Sequence, residues 1–483
     1  MSHRWFPILL CGVIFGLYLG LPTRSYYWDG VLFSLRIEQA QQHQIPVGEL
    51  FHANHLLYSP AGYLLYSAAL DCGLMLRAIS ALQVANAVLS SISAYVVFIL
   101  ARRFTGSEKV GWLCAALFAF GATWWKFSTD ADAYVISNLL ILVAIASLTS
   151  ARSNVVLCGV CHTTAMLFHE LAVFAYAPIL LTLALDNRRP VRVRIVRFAA
   201  YIIATITCVW VVYWWCYRAR FGPRHSGLIS WARSYASDSG FTRSLGQLIG
   251  ANIASCVKLF AGGKLALIEE FSSWPMWVSL TVCVAAVSAG MVLARGHVPR
   301  NEPLKTDRKD LTVLWMWLLA PAIFLASWDP GSAFHKLFLW PAIVLLIGAY
   351  GLPRLPSRVA AAFVLALVAW NFGAFIWPHA HVSADPVLSL AVEIDKQLPR
   401  NATVYYAAFS PDDWYLDYFA PGRKWVQMTS DSGQVVVAGT GPVCFETTAL
   451  QNLKDPLRPD PRLSWALVNQ QHNIRFECVH EPR

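Results

Sequence analysis

The sequence predicts an α-helical membrane protein with many spans, followed by a small α/β domain at the carboxyl end. Of its 483 residues, 57% are hydrophobic and only 14% are charged, whereas soluble domains carry roughly 25% charged residues. Apolar stretches typical of membrane helices recur from residue 5 to residue 377, and the sequence beyond them is polar. These two observations predict the class of fold.

Lysine and arginine residues in the short loops predict the orientation of the spans, because they stay on the cytoplasmic side during insertion. The sequence predicts about eleven spans, with the amino terminus inside and the carboxyl terminus outside. We expect the first span to be retained, because no clear cleavage site with small residues follows it. The predicted spans cover residues 5–20, 81–101, 110–125, 134–150, 154–168, 171–185, 198–217, 274–294, 311–327, 337–351 and 359–377.

Two long loops lie on the predicted outer face, at residues 21–80 and 218–270. The first contains an apolar stretch that ends at Leu76. We expect a juxtamembrane or re-entrant helix there, because a full span would place the basic end of the next span outside. Part of the second loop, near residues 245–262, is apolar enough to lie in the membrane interface.

The predicted domains are therefore a transmembrane domain, residues 1–377, and an extracytoplasmic domain, residues 378–483. The second domain has the pattern of a small α/β fold. Its sequence predicts a helix over Pro386–Leu398 and strands over Ala402–Ala407 and Gln434–Gly439. It carries no catalytic motif, which favours a packing or recognition role for this domain.

The eleven cysteines are scattered, and no CxxC motif or Cys/His metal spacing occurs among them. A zinc module is therefore not expected. Most of the cysteines lie in apolar stretches and are typical of small core residues. Cys444 and Cys478 lie instead in the polar tail, where they are candidates for a disulfide if the tail faces an oxidising compartment.

An acidic residue lies where the chain leaves the first span. Asp29 is flanked by Tyr26, Tyr27, Trp28 and Gly30. An ionisable group at a membrane boundary is costly unless it faces a cavity or a partner, which makes Asp29 a functional candidate. The alternative is an aromatic belt at the level of the lipid headgroups, with a solvated aspartate that has no role.

The other unusual ionisable residues share the predicted outer face with Asp29, whereas the inner face carries only basic loops. Acids and imidazoles that separate loops contribute to one face are typical of a site at the mouth of a helix bundle. The sequence therefore predicts such a site. Its candidate residues are Asp29, His52, His55, Asp130, Asp132, His169, Glu170, Asp329, His335 and Lys336.

Structural alternatives exist for most of these residues. Asp130 and Asp132 can form a solvated turn, and an acid at Asp132 also suits the start of the following helix. Lys336 can be a snorkelling anchor, and the two histidines of the first loop can be interfacial. His169 and Glu170 lie between apolar stretches with almost no loop, where a carboxylate needs a partner, so a functional role is favoured for that pair.

Several short stretches form a pattern when they are taken together. They are the aspartate after the first span, the element around Tyr58-Ser59-Pro60, the span end at Ala101–Gly106, the acidic loop after the third span, and the Trp-Asp-Pro-Gly…His-Lys-Leu-Phe-Leu-Trp-Pro stretch at 328–341. This pattern resembles the GT-C glycosyltransferases of the protein-mannosyltransferase and aminoarabinose-transferase type, which use polyprenyl-phosphate sugars. The resemblance covers roughly residues 1–350. The chain departs from the family at Tyr58-Ser59, where the family often has His-Pro, and at Gly30, where the family often has a second acid.

The resemblance implies roles for individual residues. Asp29 would be the general base that takes a proton from the acceptor as it attacks the anomeric carbon, and Asp132 and Glu170 would be further catalytic residues. The leaving lipid phosphate develops charge that needs cations, and the candidates for binding it are Lys336, His335, Arg218, Arg220 and Arg224. Residues that would contact the acceptor or a divalent ion, Mg²⁺ or Mn²⁺, are Asp130, His169 and His55.

The implied donor is a polyprenyl-phosphate sugar, which fits the absence of a nucleotide-binding motif from the sequence. The acceptor is left open between a glycan, a lipid and a protein, and no nucleic acid partner is expected. Localisation in a bacterial inner membrane, with the site facing outwards, is expected. Three alternatives remain: a transporter or flippase, a polymerase or ligase of lipid-linked glycans, and a non-enzymatic scaffold of the cell envelope.

Overall fold

The computed structural model describes residues 6–150, 152–222, 227–234, 244–263, 273–295, 306–382, 385–406, 413–427, 441–446, 463–469 and 474–479. The chain forms two compact units. The first unit comprises residues 1–23 and 36–378, and the second comprises residues 24–35 and 379–483. The sequence predicts a single boundary, between residues 377 and 378. The structure also assigns residues 24–35, which precede that boundary, to the second unit.

The first unit is built from helices. Its α-helices are α1 (Phe6–Gly20), α2 (Trp28–Gln41, whose first eight residues belong to the second unit), α3 (Tyr58–Asp71), α4 (Ala78–Thr105), α5 (Glu108–Phe120), α6 (Ala122–Ser128), α7 (Tyr134–Leu148), α8 (Val155–Phe168), α9 (Tyr176–Ala184), α10 (Val191–Phe221), α11 (Leu228–Arg233), α12 (Leu245–Phe260), α13 (Trp274–Ala294), α14 (Arg308–Trp328), α15 (Trp340–Leu346) and α16 (Ser357–Asn371). Short 3₁₀ turns lie at Val47–Leu50, Ala53–His55, Glu170–Ala175, His335–Phe338 and Leu352–Arg354. Stretches of π-helix at Ile347–Gly351 and Phe372–Ile376 extend α15 and α16.

Several helices begin where the sequence supplies a capping side chain. The Ser107 hydroxyl caps α5, and the Asn154 amide oxygen caps α8. Ser244 and Gln247 form a reciprocal capping box at the start of α12. Such caps satisfy backbone N–H groups that have no partner within the helix, so local sequence determines where these helices begin.

The helices confirm an integral membrane protein. Among the described residues, five helices are long and apolar enough to cross a membrane, namely α4, α10, α13, α14 and the continuous segment Ser357–His379. The bent pair of α5 and α6 passes the same test as a sixth. The remaining predicted spans coincide with shorter helical segments, such as α7 and α8. The number of crossings and their orientation therefore stay predictions.

The predicted third span, residues 110–125, is broken into two helices. α5 and α6 meet at Gly121 with a bend of 68°. A side chain at Gly121 would collide with the ring of Trp340, whose indole N–H donates to the Phe118 carbonyl at 2.9 Å. The glycine thus permits a close approach that directs α6 and the loop after it away from the axis of α5.

Asn371, at the end of α16, ties three elements together inside the first unit. Its amide nitrogen donates to the Phe120 carbonyl at 2.8 Å and to the Phe260 carbonyl at 2.7 Å. Its amide oxygen accepts from the Gly262 N–H at 3.2 Å. The side chain is fully buried, so these bonds hold the ends of α5 and α12 where water does not compete.

The second unit contains the small α/β domain that the sequence predicts. Its helices are α17 (Pro386–Gln397) and α18 (Asp413–Phe419), and its strands are β1 (Thr403–Tyr406), β2 (Lys424–Gln427), β3 (Val443–Glu446), β4 (Leu463–Asn469) and β5 (Ile474–Val479). The sheet order is β2-β1-β3-β5-β4, with β1 parallel to β2 and β3, and β5 antiparallel to β3 and β4. The predicted helix and first strand are confirmed, whereas the strand predicted at 434–439 lies outside the described residues.

The disulfide expected in the tail is present in the structure. Cys444 on β3 and Cys478 on β5 are directly paired in the antiparallel register, and their sulfur atoms are bonded. Both residues are buried. The bond therefore links β3, the central strand of the sheet, to the neighbouring strand β5.

We expect Asn371→Leu to destabilise the protein, because two carbonyl oxygens and one N–H would remain buried without a partner. The expected loss is about 2–4 kcal/mol, as for several unsatisfied polar groups. It is measured as a lower melting temperature of the purified protein in detergent. The matched control, Asn187→Leu, changes an exposed asparagine and should alter stability by less than about 0.5 kcal/mol. Equal melting temperatures for both variants would contradict the role of Asn371.

Candidate active site

The loop between α6 and α7 is held in place by two amide side chains of α4. The Gln83 amide donates to the carbonyl oxygens of Thr23 at 2.9 Å and Thr129 at 2.7 Å. The Asn86 amide donates to the carbonyl oxygens of Asp130 at 2.8 Å and Asp132 at 2.9 Å. Both amides are buried. They fix the loop through its backbone, which leaves its two carboxylates for other contacts.

Those two carboxylates, Asp130 and Asp132, are fully buried, so the alternative of a solvated turn is wrong. Asp130 forms an ion pair with Lys126, one helical turn earlier, and also accepts from the Ala131 N–H at 2.8 Å. The charge of Asp130 is therefore balanced locally. Asp132 accepts from the N–H of Ala133 at the start of α7.

Tyr58, the first residue of α3, lies next to this acidic loop. Burial, together with the nearby carboxylates of Asp132 and Asp130, raises the pKa of its hydroxyl well above the usual value. The hydroxyl stays protonated at neutral pH, because its ionisation would place a third negative charge among buried groups. In the sequence, Tyr58 stands out only as a departure from a family pattern. Its position near Asp132 comes from the packing of α3 against α4.

Three histidines from separate elements form an imidazole cluster, defined by His55, His169 and His335. The rings of His55 and His169 lie 4.7 Å apart, edge to face. Tyr134, at the start of α7, lies 4.6 Å from the ring of His169 and 6.2 Å from the ring of His335. Phe338 lies 4.9 Å from the ring of His169 and 6.0 Å from that of Tyr134.

The buried members of the imidazole cluster are neutral at physiological pH. Burial lowers the pKa of His55 to about 4. Burial and the neighbouring His55 and His335 hold the pKa of His169 well below its usual value. A neutral imidazole has one N–H donor and one acceptor nitrogen, so each ring can make directional hydrogen bonds without carrying charge.

His335 joins the imidazole cluster to the less buried 328–335 stretch. Its Nδ1 lies 2.8 Å from a carboxylate oxygen of Asp329, and its backbone N–H donates to the Ser332 hydroxyl at 3.1 Å. Its side chain is 16% exposed, and that of Asp329 is 32% exposed. Asp329 thus fixes the orientation of the imidazole, as carboxylates do for functional histidines.

Lys336 does not have the position expected for a phosphate ligand. It is buried, and its ammonium donates to the Asn252 side chain at 3.0 Å, to the Pro330 carbonyl at 2.8 Å and to the Ser255 hydroxyl. An ammonium has three protons, and all three are used. Its predicted role in phosphate binding stays a prediction. Lys336 holds α12 against the loop before the 335–338 turn.

The arginines of the predicted second outer loop also differ from expectation. Arg218 and Arg220 lie in the last turn of α10 rather than in a loop. Arg220 pairs with Glu49 at 2.9 Å and donates to the Phe51 carbonyl at 2.5 Å, so it anchors the preceding turn instead of a ligand. Arg218 lies over the ring of Trp214 and is half-buried. Arg224 lies outside the described residues.

His169 and Glu170 do not act as a pair. The backbone of His169 is extended, with φ −156° and ψ 124°, and extended backbone directs successive side chains to opposite sides. His169 is buried in the imidazole cluster, whereas Glu170 is exposed. The expected catalytic role of Glu170 beside His169 is therefore not supported by its position.

The residues expected around a divalent ion do not assemble a site for one. Across the described part of the chain, no group of three His, Cys, Asp or Glu side chains is placed to hold a metal ion. Asp130 is paired with Lys126, and Nδ1 of His169 already accepts from the Leu171 N–H. His55 uses Nδ1 toward the Phe168 carbonyl.

Asp29 belongs to the second unit. It is the second residue of α2, where a carboxylate suits the positive end of the helix dipole. The preceding residue, Trp28, packs on Trp414 and Tyr415 of the same unit. The side chain of Asp29 is half-buried.

Sequence reasoning missed the residues that organise the site, namely Gln83, Asn86, Tyr58 and Tyr134. One signal for the first two was present. Two amides spaced three residues apart share one face of a helix, and in an otherwise apolar span they need polar partners. The two tyrosines carry no such signal, because aromatic residues at membrane boundaries are common.

Comparisons with known proteins identify the fold. No protein-family profile and no curated protein matches this sequence. The structure is similar to that of ArnT from Cupriavidus metallidurans with undecaprenyl phosphate bound, with a TM-score of 0.60, 12% identity, and coverage of 99% of this chain and 98% of that one. The apo state of the same protein gives a TM-score of 0.43 at 13% identity, covering 98% and 97%. The Archaeoglobus fulgidus oligosaccharyltransferase, in complex with Zn and sulfate, gives 0.47 at 12% identity, covering 86% of this chain and 62% of that one.

The chain therefore has the GT-C fold, which confirms the fold class predicted from the sequence. The similarity to the ArnT complex extends over nearly the whole length of both chains. At 12% identity, this similarity establishes the fold and does not by itself identify the reaction.

We expect Lys336→Met to lower stability by about 2–4 kcal/mol, because three buried acceptors would lose their donor. The measurement is the melting temperature of the purified protein in detergent. Lys258→Met is the matched control, since Lys258 is an exposed lysine on α12, the helix that Lys336 contacts. A Lys336 variant with unchanged melting temperature and weakened binding of undecaprenyl phosphate would support the phosphate-binding role.

Proposed function

We propose that this protein is a membrane glycosyltransferase that moves a sugar from a polyprenyl-phosphate donor to an acceptor on the extracytoplasmic face. The observation that carries the proposal is the GT-C fold, shared along nearly the whole chain with ArnT in a complex that contains undecaprenyl phosphate. The buried polar side chains around Asp132 and His169 support it, because ionisable groups inside a helix bundle are costly and mark functional sites.

The reaction that fits is a direct displacement. The acceptor hydroxyl or amine attacks the anomeric carbon, the bond from that carbon to the phosphate oxygen breaks, and its electron pair leaves with the lipid phosphate. The proton of the acceptor goes to a general base. We assign this role to Asp29, whose carboxylate is half-buried in the first turn of α2.

Asp132 is the carboxylate that we propose to orient the reacting groups. It is fully buried, and its loop is held by the Asn86 amide through two carbonyl oxygens. A side chain on such a supported loop keeps its position during the reaction, which favours a reaction that depends on alignment. Tyr58 beside it keeps its proton.

Arg218 is the remaining cation of the predicted set that we propose for the lipid phosphate. It is half-buried at the end of α10. A guanidinium is suited to phosphate because several of its N–H donors match the phosphate oxygens in one plane. Its guanidinium lies over the ring of Trp214.

An outward-facing carboxyl-terminal unit is supported by the Cys444–Cys478 bond, since disulfides persist in oxidising compartments. The basic loop that contains Arg188 and Arg197 favours the opposite, cytoplasmic side. We propose a bacterial inner membrane, with the reaction on its outer side.

Asp29→Asn tests the catalytic proposal. Sugar transfer from a panel of radiolabelled polyprenyl-phosphate sugars to membrane extracts should fall at least about 100-fold, because a general base contributes 10²–10⁴-fold. The melting temperature should stay near that of the wild type. Asp71→Asn, which changes an exposed aspartate at the end of α3, should transfer as the wild type does.

Retained transfer by Asp29→Asn would reject Asp29 as the base while leaving the enzyme class intact. Wild-type protein that transfers no sugar from any donor, yet moves the lipid across vesicle membranes, would instead establish a flippase. Products that carry many added sugars would indicate a polymerase.

Accessible single cysteines test the orientation. In a background without native reactive cysteines, a membrane-impermeant maleimide added to intact spheroplasts should label Lys396→Cys on α17 and should not label Arg189→Cys. Both positions are exposed, so burial does not explain a difference between them. The reverse labelling pattern would invert the topology and move the site to the cytoplasmic side.

A further inference from the structure

The hydrogen-bonding state of His169 is determined by one backbone contact. The Leu171 N–H donates to Nδ1 of His169 at 3.2 Å. A nitrogen that accepts a hydrogen bond carries no proton, so the neutral ring carries its proton on Nε2. Burial keeps the ring neutral. Nε2 of His169 is therefore a hydrogen-bond donor.

That donor is buried and meets no acceptor. His169 is 3% exposed, and within the described ranges of the chain its Nε2 has no hydrogen-bond partner. Buried donors in folded proteins are almost always paired, and a lone one costs free energy. An unpaired N–H in this position is explained by an acceptor that belongs to a ligand.

A second buried histidine, which lies on the helix that ends just before His169, shows the usual arrangement. His162 on α8 is fully buried. Its Nδ1 lies 2.7 Å from the Tyr201 hydroxyl, and its Nε2 lies 3.0 Å from the Ala172 carbonyl. Both nitrogens of His162 are satisfied within the protein. The contrast with His169 is therefore a property of the site and not of buried histidines in this bundle.

The surroundings of His169 favour an anionic acceptor. The groups that act on it electrostatically are the imidazoles of His55 and His335, and its ring neighbours Tyr134 and Phe338 carry no charge. A neutral N–H donor stabilises an anion in a site with little water, because it needs no charge of its own to do so.

His335 supplies a second imidazole, near enough to His169 to act on it electrostatically. Its ring lies 6.2 Å from the ring of Tyr134, which in turn packs against His169. Its Nδ1 is occupied by Asp329 at 2.8 Å, and its partial exposure places it on the approach from the surface. Two of the cations predicted to bind phosphate have partners within the protein. Lys336 donates to Asn252, and Arg220 pairs with Glu49.

We propose that His169, through Nε2–H, donates a hydrogen bond to a phosphate oxygen of the polyprenyl-phosphate donor, with His335 as a second ligand oriented by Asp329. This inference rests on the proposed function. When the bond from the anomeric carbon to the phosphate breaks, its electron pair stays on the phosphate oxygen. The hydrogen bond from His169 then strengthens and stabilises the leaving group.

The test measures undecaprenyl phosphate binding by the full-length protein in nanodiscs, by titration and by the ligand-induced rise in melting temperature. Undecaprenol, which lacks the phosphate, is the second probe. His169→Phe removes the donor and keeps a planar ring, and His169→Gln keeps an N–H at a similar reach. His162→Phe, which changes the buried histidine on α8, is the matched control.

His169→Phe should bind undecaprenyl phosphate about ten-fold more weakly. Its melting temperature without ligand is affected in two opposite directions, because the unpaired donor is removed but the Leu171 N–H also loses its acceptor, so the affinity is the deciding readout. His169→Gln should keep most of the affinity. His162→Phe should melt lower without ligand and bind as the wild type does. Undecaprenol should bind all four proteins equally.

A structural role for His169 would give a lower melting temperature without ligand and unchanged affinity, and would overturn the inference. Equal affinity in the wild type and His169→Phe would overturn it even if sugar transfer continued, and the proposed function would then stand. A wild type that neither transfers sugar nor distinguishes undecaprenyl phosphate from undecaprenol would reject both.

Discussion

The hydrogen bonds from Gln83 and Asn86 to the 129–132 backbone are the contacts on which the site depends. A bundle with few charges cannot leave the carbonyl oxygens of a buried loop without donors, because unpaired polar groups in an apolar medium are costly. The two amides meet that need from one face of α4. The bend at Gly121 delivers α6 and its loop to them. These two features, the amide hydrogen bonds and the bend, determine where the Asp132 carboxylate lies.

Cations in the first unit mainly serve the architecture. Lys336 connects α12 to the loop at Pro330, and Arg220 connects α10 to the turn at Glu49. A buried charge whose hydrogen bonds are complete stabilises the geometry of its surroundings but is not available to a ligand. The proposed contact with the lipid phosphate therefore relies on neutral N–H donors. The imidazole cluster has this property, because burial and mutual repulsion keep its buried rings uncharged.

The sequence by itself determined the class of protein. Its low charge and recurring apolar stretches predicted a bundle of membrane helices. Its polar tail predicted a separate α/β unit with the Cys444–Cys478 pair. Short motifs resembling GT-C enzymes pointed to the fold that the ArnT complex shares. These features are local or compositional, so neighbouring residues are enough to specify them. The grouping of His55, His169 and His335 on one face was also anticipated, because their loops follow spans of one orientation.

Only the tertiary structure decided which of those ionisable side chains are committed and which are available. Lys336 is satisfied by Asn252, 84 residues away, and Arg220 by Glu49, 171 residues away. The extended backbone at His169 sends that side chain inwards and leaves Glu170 exposed. The availability of a group for chemistry depends on its hydrogen-bond partners, and helices distant in the sequence supply those partners. No pattern along the chain encodes that pairing, because it arises from how the helices pack.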